Sequence, residues 1–206
     1  MTKNFGAGMV LGIAVTLGLM IAAWLTVVYT GAYNVAASAQ HADIIRWTLN
    51  TTTHQSVANR AGSADIPEQP SEKLIAEGAR HYESSCAHCH GAPGADPRPW
   101  SRGMRPEPPH LAEEAGEWSG QEIYWIIANG IKMTGMPAFG QHHPPEEIIE
   151  ISAFVSALPG LAADDYARLT DPAREASGST ASMGVGEMTQ KSQSRDPGNQ
   201  SERTGR

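Results

Sequence analysis

Cysteine is nearly absent from this chain of 206 residues, with Cys86 and Cys89 the only two. A network of disulfides and a four-cysteine zinc site are therefore excluded. Aromatic residues make up 6% of the chain, and no segment alternates apolar and polar residues as a half-buried strand would. Basic residues are few, 15 Lys and Arg against 22 Asp and Glu, which removes the positive footprint of a nucleic-acid binder. The excess is local: thirteen acids and six bases lie between Ile66 and Gly160, and the remaining residues sum to zero. An acidic domain of this kind fits a partner with a basic protein surface, although a modest acidic excess also serves solubility alone.

Charge is missing altogether from Phe5 to Tyr29. Twenty-five helical residues span about 37 Å, enough for a hydrocarbon core of about 30 Å. Lys3 and the amino terminus precede this run, and Trp24, Tyr29 and Tyr33 gather at its far end, an arrangement that leaves the rest of the chain outside the cytoplasm. Residues 1–33 are thus read as an anchor in membrane lipid, single-pass in the inner (cytoplasmic) membrane with the domain on the periplasmic side. A cleaved signal with Ala37-Ser38-Ala39 as its processing site is the competing reading, but such signals have apolar cores of only about 7 to 15 residues. Gly8 and Gly12 make a Gly-x-x-x-Gly step open to an anchor-mediated dimer, or to no packing role at all.

Residues 34–70 read as a periplasmic stalk and linker. They contain a short amphipathic segment around Ile44, Ile45, Trp47 and Leu49, surface histidines at 41 and 54, and a Pro- and Gly-bearing stretch from Ala61 to Pro70. Residues 71–160 read as one small all-α domain. Ser71 caps a first helix with Leu74, Ile75, Gly78 and Tyr82 on one face. Ser119 and Glu122 form a capping box for a second, stopped at Gly130. Pro144-Pro145 opens a third, which presents Ile148, Ile151, Val155 and Leu158 and stops at Pro159-Gly160. Gly78 weakens its helix and so marks a close crossing. Gly91 to Trp118 holds six prolines and is expected to be irregular, as a loop around a cofactor core can be. Residues 161–206 read as a flexible low-complexity tail, disordered from Ser177 on.

The two cysteines stand in Cys86-Ala87-His88-Cys89-His90, and Cys-x-x-Cys-His is the attachment signature of a c-type haem. Two thiols at this spacing add to the two vinyl groups of one porphyrin, and the adjoining imidazole of His90 lies under the iron as a ligand. A zinc site lacks its further ligands even with His88 enlisted, and a thioredoxin-like dithiol lacks the alternation of strands and helices around it.

The opposite iron ligand decides function more than the fold does. Met136, in Gly135-Met136-Pro137-Ala138-Phe139, is the first candidate, because Pro137 holds it extended and presents its thioether. Met133 and Met104 are its rivals. His142 and His143 are close in sequence, but a His-His step before Pro144 is more simply a solvated helix entrance. Arg98, Trp100, Arg102 and Arg105 cluster in the proline-rich loop as candidate donors to the haem propionates, or as ordinary surface residues.

Gly78 and Tyr82 before Cys86-x-x-Cys89-His90-Gly91, the Met136-Pro137-Ala138-Phe139 segment, and a last helix with Phe154 together resemble the class I cytochrome c family over about Ser71 to Gly160. That resemblance implies that Gly78, Tyr82 and Phe154 form the crossing of the first and last helices, and that Met136 is the axial methionine. It also implies a low-spin haem c, covalently bound, with electrons exchanged with redox proteins. Anchor and domain together look like the membrane-anchored monohaem cytochromes c of Gram-negative bacteria. The expected function is a single-electron carrier. A haem subunit of a membrane dehydrogenase or reductase complex is the alternative, and a gas sensor or peroxidase with an open distal site is disfavoured by methionine ligation.

Overall fold

The computed structural model describes residues 2–62 and 64–171, and side chains from Gly6 on. These form helices and turns, with no strand among the described residues beyond a single bridge between Ala92 and Ala95. The low-complexity tail, from residue 172 on, lies outside the described residues. Two compact units divide at Arg46. The first holds α1 (Thr2–Thr30), in which Gly6–Thr30 is long and apolar enough to cross a membrane. Thr16 and Thr26 return their hydroxyls to the carbonyls of Gly12 and Ala22, so these two hydroxyls are satisfied within the helix.

α2 (Asp43–Ala58) is longer than the sequence suggests and runs through the Thr51-Thr52-Thr53 series. From Trp47 on it belongs to the second unit, where Val57 is buried and His54 stacks on Trp118 at 4.3 Å between ring centroids. His54 is therefore a packed residue, not a solvated one as expected.

α3 (Glu72–Ser85) starts where the sequence places it, with Ser71 Oγ accepting from the Leu74 N–H at 3.2 Å. α4 (Ala87–His90) is one turn holding the cysteine motif, and α5 (Leu111–Glu114) is one turn inside the proline-rich loop. α6 (Gly120–Asn129) has the anticipated capping box: the Ser119 N–H donates to Glu122 Oε2 at 2.8 Å, and Gly130, at φ 64°, ends the helix. α7 (Pro145–Ala157) carries proline in its first turn, where no N–H is needed.

The core is the crossing of α3 and α7, with α6 against α7. A Cβ on Gly78 would overlap the Glu150 carbonyl and stand 2.8 Å from Phe154 Cβ, so the backbones meet at the one residue without a side chain. Beside it Tyr82 and Phe154, both 0% exposed, pack at 5.3 Å with planes inclined at 57°. The crossing expected of Gly78, Tyr82 and Phe154 is present.

The domain does not stop at Gly160. α8 (Ala163–Thr170) returns along α3, burying Tyr166 against Tyr82 and Phe154 at ring separations of 6.5 and 6.0 Å. The Tyr166 hydroxyl donates to the Glu83 carboxylate. This corrects the boundary at 160/161, because residues 161–171 are packed structure. A chain ended at Gly160 exposes the rings of Tyr82 and Phe154 and loses about 3 kcal/mol. Thermal melting should show its midpoint lowered by about 12–24 °C for a domain of this size, and an unchanged midpoint would deny α8 a place in the core.

At the rim of the α3–α7 crossing, Glu150 lies beside Glu77 and 3.4 Å from His81. Burial, and then the neighbouring Glu77 charge, raise the Glu150 carboxyl above its ordinary 4.5, and His81 opposes the shift. A carboxyl raised by folding contributes stability that is full below its unfolded value and is lost as pH rises through the folded one. Glu150→Gln should therefore stabilise the domain at neutral pH and lose that advantage at acid pH, below the ordinary carboxyl value. Denaturant titrations at both pH values measure the difference.

Candidate functional site

Tyr82 delivers the chain to the cysteine motif. Its buried hydroxyl donates to the Gly91 carbonyl at 2.6 Å, tying α3 to the residue that follows His90, and burial raises the hydroxyl's pKa so that it stays a donor. Gly91 has φ 70°, and a Cβ there would stand 2.6 Å from His110 Nε2. The chain turns away from His90 with a geometry that only glycine adopts without strain.

The thiols are held protonated. Burial, and then the neighbouring Cys89, push Cys86 up to about 12, and burial raises Cys89. A redox dithiol needs the opposite shift, a stabilised thiolate. No cluster of three His, Cys, Asp or Glu able to hold a metal ion exists among the described residues.

His90 Nδ1 lies 2.9 Å from the Pro109 carbonyl oxygen. A carbonyl only accepts, so Nδ1 carries the proton and Nε2 keeps its lone pair, the tautomer of a metal ligand. Burial lowers the His90 pKa, the Pro109 bond opposes this, and His110 adds to it, which keeps the ring neutral. Pro109 was not anticipated from the sequence, because it acts through its backbone carbonyl.

The methionine segment lies between α6 and α7. The Met136 N–H donates to Thr134 Oγ1 at 3.0 Å, and its carbonyl accepts from the Ile131 N–H at 3.2 Å. Both backbone groups are fixed, and the side chain packs against the core. Met133, by contrast, is 83% exposed at φ 63° and points to solvent. Met104 brings the other loop to this one: its Sδ is 2.6 Å from where a Gly135 Cβ would stand. His143 Nδ1 is engaged by Glu147 at 2.9 Å at the entrance of α7 and its ring packs on Phe139, so of the His-His step only His142 is exposed as expected.

Of the four loop donors, Arg105 stands apart. Its Nη1 donates to the carbonyls of Arg102 and Met104 at 2.9 and 2.7 Å, while its Nε is buried without a hydrogen-bond partner. Arg102 pairs with Asp96 at 3.1 Å, and Trp100 is exposed. Two protonated thiols, an imidazole with Nε2 free, a presented thioether and an orphaned buried guanidinium N–H fit a haem with an anionic propionate.

The fold is an all-α domain, and these groups suit a covalently attached haem. Residues 73–155 match the family described as cytochrome C oxidase, cbb3-type, subunit III, a family of class I c-type cytochrome domains. This part of the chain is accordingly a c-type cytochrome domain, with covalently bound haem c and its iron as cofactor and electron transfer as its role. Comparison with curated proteins and with solved structures finds no match.

Proposed function

We propose that the protein is a membrane-anchored monohaem cytochrome that passes single electrons between redox proteins, with Cys86 and Cys89 as thioether residues and His90 and Met136 as axial ligands. The observation that carries this reading is the fixed tautomer of His90, set by Pro109. The haem supplies a one-electron iron couple. The chain's part is to keep that couple from reorganising: Pro109 orients the imidazole, Thr134 and Ile131 hold the Met136 backbone, and the α3–α7 crossing fixes both loops to one core. Arg105 Nε is the donor best placed to hold a propionate. The Gly6–Thr30 helix would seat the domain on the periplasmic side of the inner membrane and confine its search for partners to two dimensions. Anchor pairing through Gly8 and Gly12 would make the molecule a dimer.

Absorption spectra of washed membranes, oxidised, reduced and treated with carbon monoxide, test the reading. A membrane-retained low-spin c-type spectrum, with the weak sulfur-to-iron band when oxidised and no response to carbon monoxide, is expected. High-spin character or ready binding of carbon monoxide would put an open-site sensor or enzyme ahead.

The name of the matched family, that of an oxidase subunit, favours a second reading: a haem subunit of a membrane oxidoreductase complex. Gentle solubilisation followed by size analysis separates the two, since a free carrier migrates alone.

A further inference from the structure

Seven large apolar side chains are exposed among the described residues after Thr30, and five of them lie between positions 33 and 49: Tyr33, Val35, Ile44, Trp47 and Leu49. Apolar residues exposed singly are ordinary, but a concentration of them marks a surface that meets something. None of the five belongs to the haem site.

Within the first unit the chain folds back on itself at this place. Residues 33 and 41 could stand about 27 Å apart if the segment between them were extended. Instead the Tyr33 hydroxyl is hydrogen-bonded to His41 Nδ1, and the two rings stack at 6.2 Å between centroids with planes 13° apart. Asn34 Oδ1 accepts from the Ala36 N–H, and the Ala39 N–H donates to the Ala36 carbonyl, so the chain between them is itself turned. α2 therefore starts beside the residues that follow the apolar Gly6–Thr30 helix. Ile44 stands in the first turn of α2, and Trp47, three positions on, shares its face. Their exposures are 66% and 64%.

Charge decides which occupant suits this face. Asp43 and Arg46 are the only Asp, Glu, Lys or Arg between Lys3 and Arg60, and they pair with each other at 2.9 Å. The segment offers no polybasic attraction to anionic headgroups. A tryptophan near Tyr29 and Tyr33 is instead the side-chain chemistry of the membrane–water boundary. Two large apolar side chains are too few to hold a free helix on a bilayer. A helix tied by Tyr33 and His41 to the end of a spanning segment needs far less, because its encounter with lipid is intramolecular.

We infer that the start of α2, through Ile44 and Trp47, seats itself in the lipid interface of the bilayer that the Gly6–Thr30 helix enters. The inference rests on the membrane-anchored reading and deepens it: the segment between anchor and domain is a second membrane contact and not a plain stalk. α2 continues to Val57, which is buried in the second unit, so the lipid contact bears on a helix that the haem domain itself holds.

The test uses the full-length, haem-loaded protein in phosphatidylcholine nanodiscs. Haem occupies Cys86 and Cys89, so an added cysteine is a unique thiol for an NBD fluorophore, placed in turn by Tyr29→Cys, Ile44→Cys and Lys73→Cys. Each label is read as the ratio of its emission in lipid bearing a nitroxide near the top of the acyl chain to its emission in plain lipid. The label at 44 should be blue-shifted and roughly halved by the nitroxide lipid, as expected for a side chain at the headgroup–acyl boundary. Adding Trp47→Ser should restore most of its aqueous emission, and the label at 73, on a lysine whose side chain is 84% exposed, should stay aqueous throughout. Higher salt or added phosphatidylglycerol should change none of this. An aqueous, unquenched label at 44, or one indifferent to Trp47→Ser, overturns the inference and leaves the anchor intact. A blue-shifted label that the nitroxide lipid does not quench assigns the face to protein, and a signal that needs low salt or phosphatidylglycerol assigns it to electrostatic adsorption; either overturns the inference. An unquenched label at 29 overturns the anchored reading and this inference together.

Discussion

Replacing Met136 by alanine is expected to open an axial position: the sulfur-to-iron band disappears from the oxidised spectrum, and the reduced protein binds carbon monoxide that the parent protein excludes. The reason lies in how the segment is held. With its N–H on Thr134 Oγ1 and its carbonyl on the Ile131 N–H, residue 136 has little freedom to move, and no neighbouring thioether replaces it without remaking the loop. Removing a partly buried methionine also costs about 2 kcal/mol of packing, so the spectra are compared well below the melting transition. Met133→Ala should leave both spectra unchanged, because that side chain is in solvent. Met104→Ala is the more searching control, since its sulfur packs at Gly135, next to the proposed ligand. Carbon monoxide binding in Met104→Ala together with a normal Met136→Ala spectrum would move the ligand to Met104.

The rivalry between these methionines shows what the sequence could and could not disclose. Three thioethers within 33 residues are equivalent on chemistry, and only the extended backbone before Pro137 and the family resemblance favoured one of them. Their separation into one exposed, one packed against a glycine and one anchored at both backbone groups is a property of two loops in contact, which no local pattern encodes. The cysteine motif was legible because its chemistry is local, and so were the capping box at Ser119 and Glu122 and the meaning of Gly78.

The bond from His90 to Pro109 was not legible. It joins positions nineteen apart across a loop without periodicity, and its acceptor is a carbonyl that every residue possesses. α8 was missed for a different reason. Its eight residues follow a Pro159-Gly160 stop, and its apolar stripe is only Tyr166 and Leu169 between Leu161 and the end of the helix. Acids in its first turn and Arg168 in its last gave the usual polarity of a helix, but a segment this short is stable only through tertiary packing. The face it covers, Tyr82 and Phe154, becomes visible only once α3 and α7 have crossed.

That crossing supplies the second large effect, from the smallest possible change. Gly78→Ala adds one methyl group at a helical position where alanine is intrinsically favoured by about 1 kcal/mol. On propensity alone the variant should be more stable. The contact opposes this: the new carbon would overlap the Glu150 carbonyl and press on Phe154 Cβ at 2.8 Å. The first obstacle is backbone within α7, and the second is the Cβ of a residue that is 0% exposed, so neither can turn aside. Overpacking of a core costs about 1–3 kcal/mol when side chains can adjust and more when they cannot. We expect the contact to win, with a net loss of about 3 kcal/mol and a melting midpoint lower by about 12–24 °C. Circular dichroism melts of the haem-loaded protein measure this, and a midpoint at or above that of the parent would mean that α3 and α7 do not meet at Gly78. The loss should reach the cofactor as well, because α3 leads directly into Cys86 and Tyr82 holds Gly91 from the same helix. A separated crossing displaces the cysteine motif from the loop that bears Pro109, so the fraction of protein carrying haem should fall in Gly78→Ala even at temperatures where the helices remain formed.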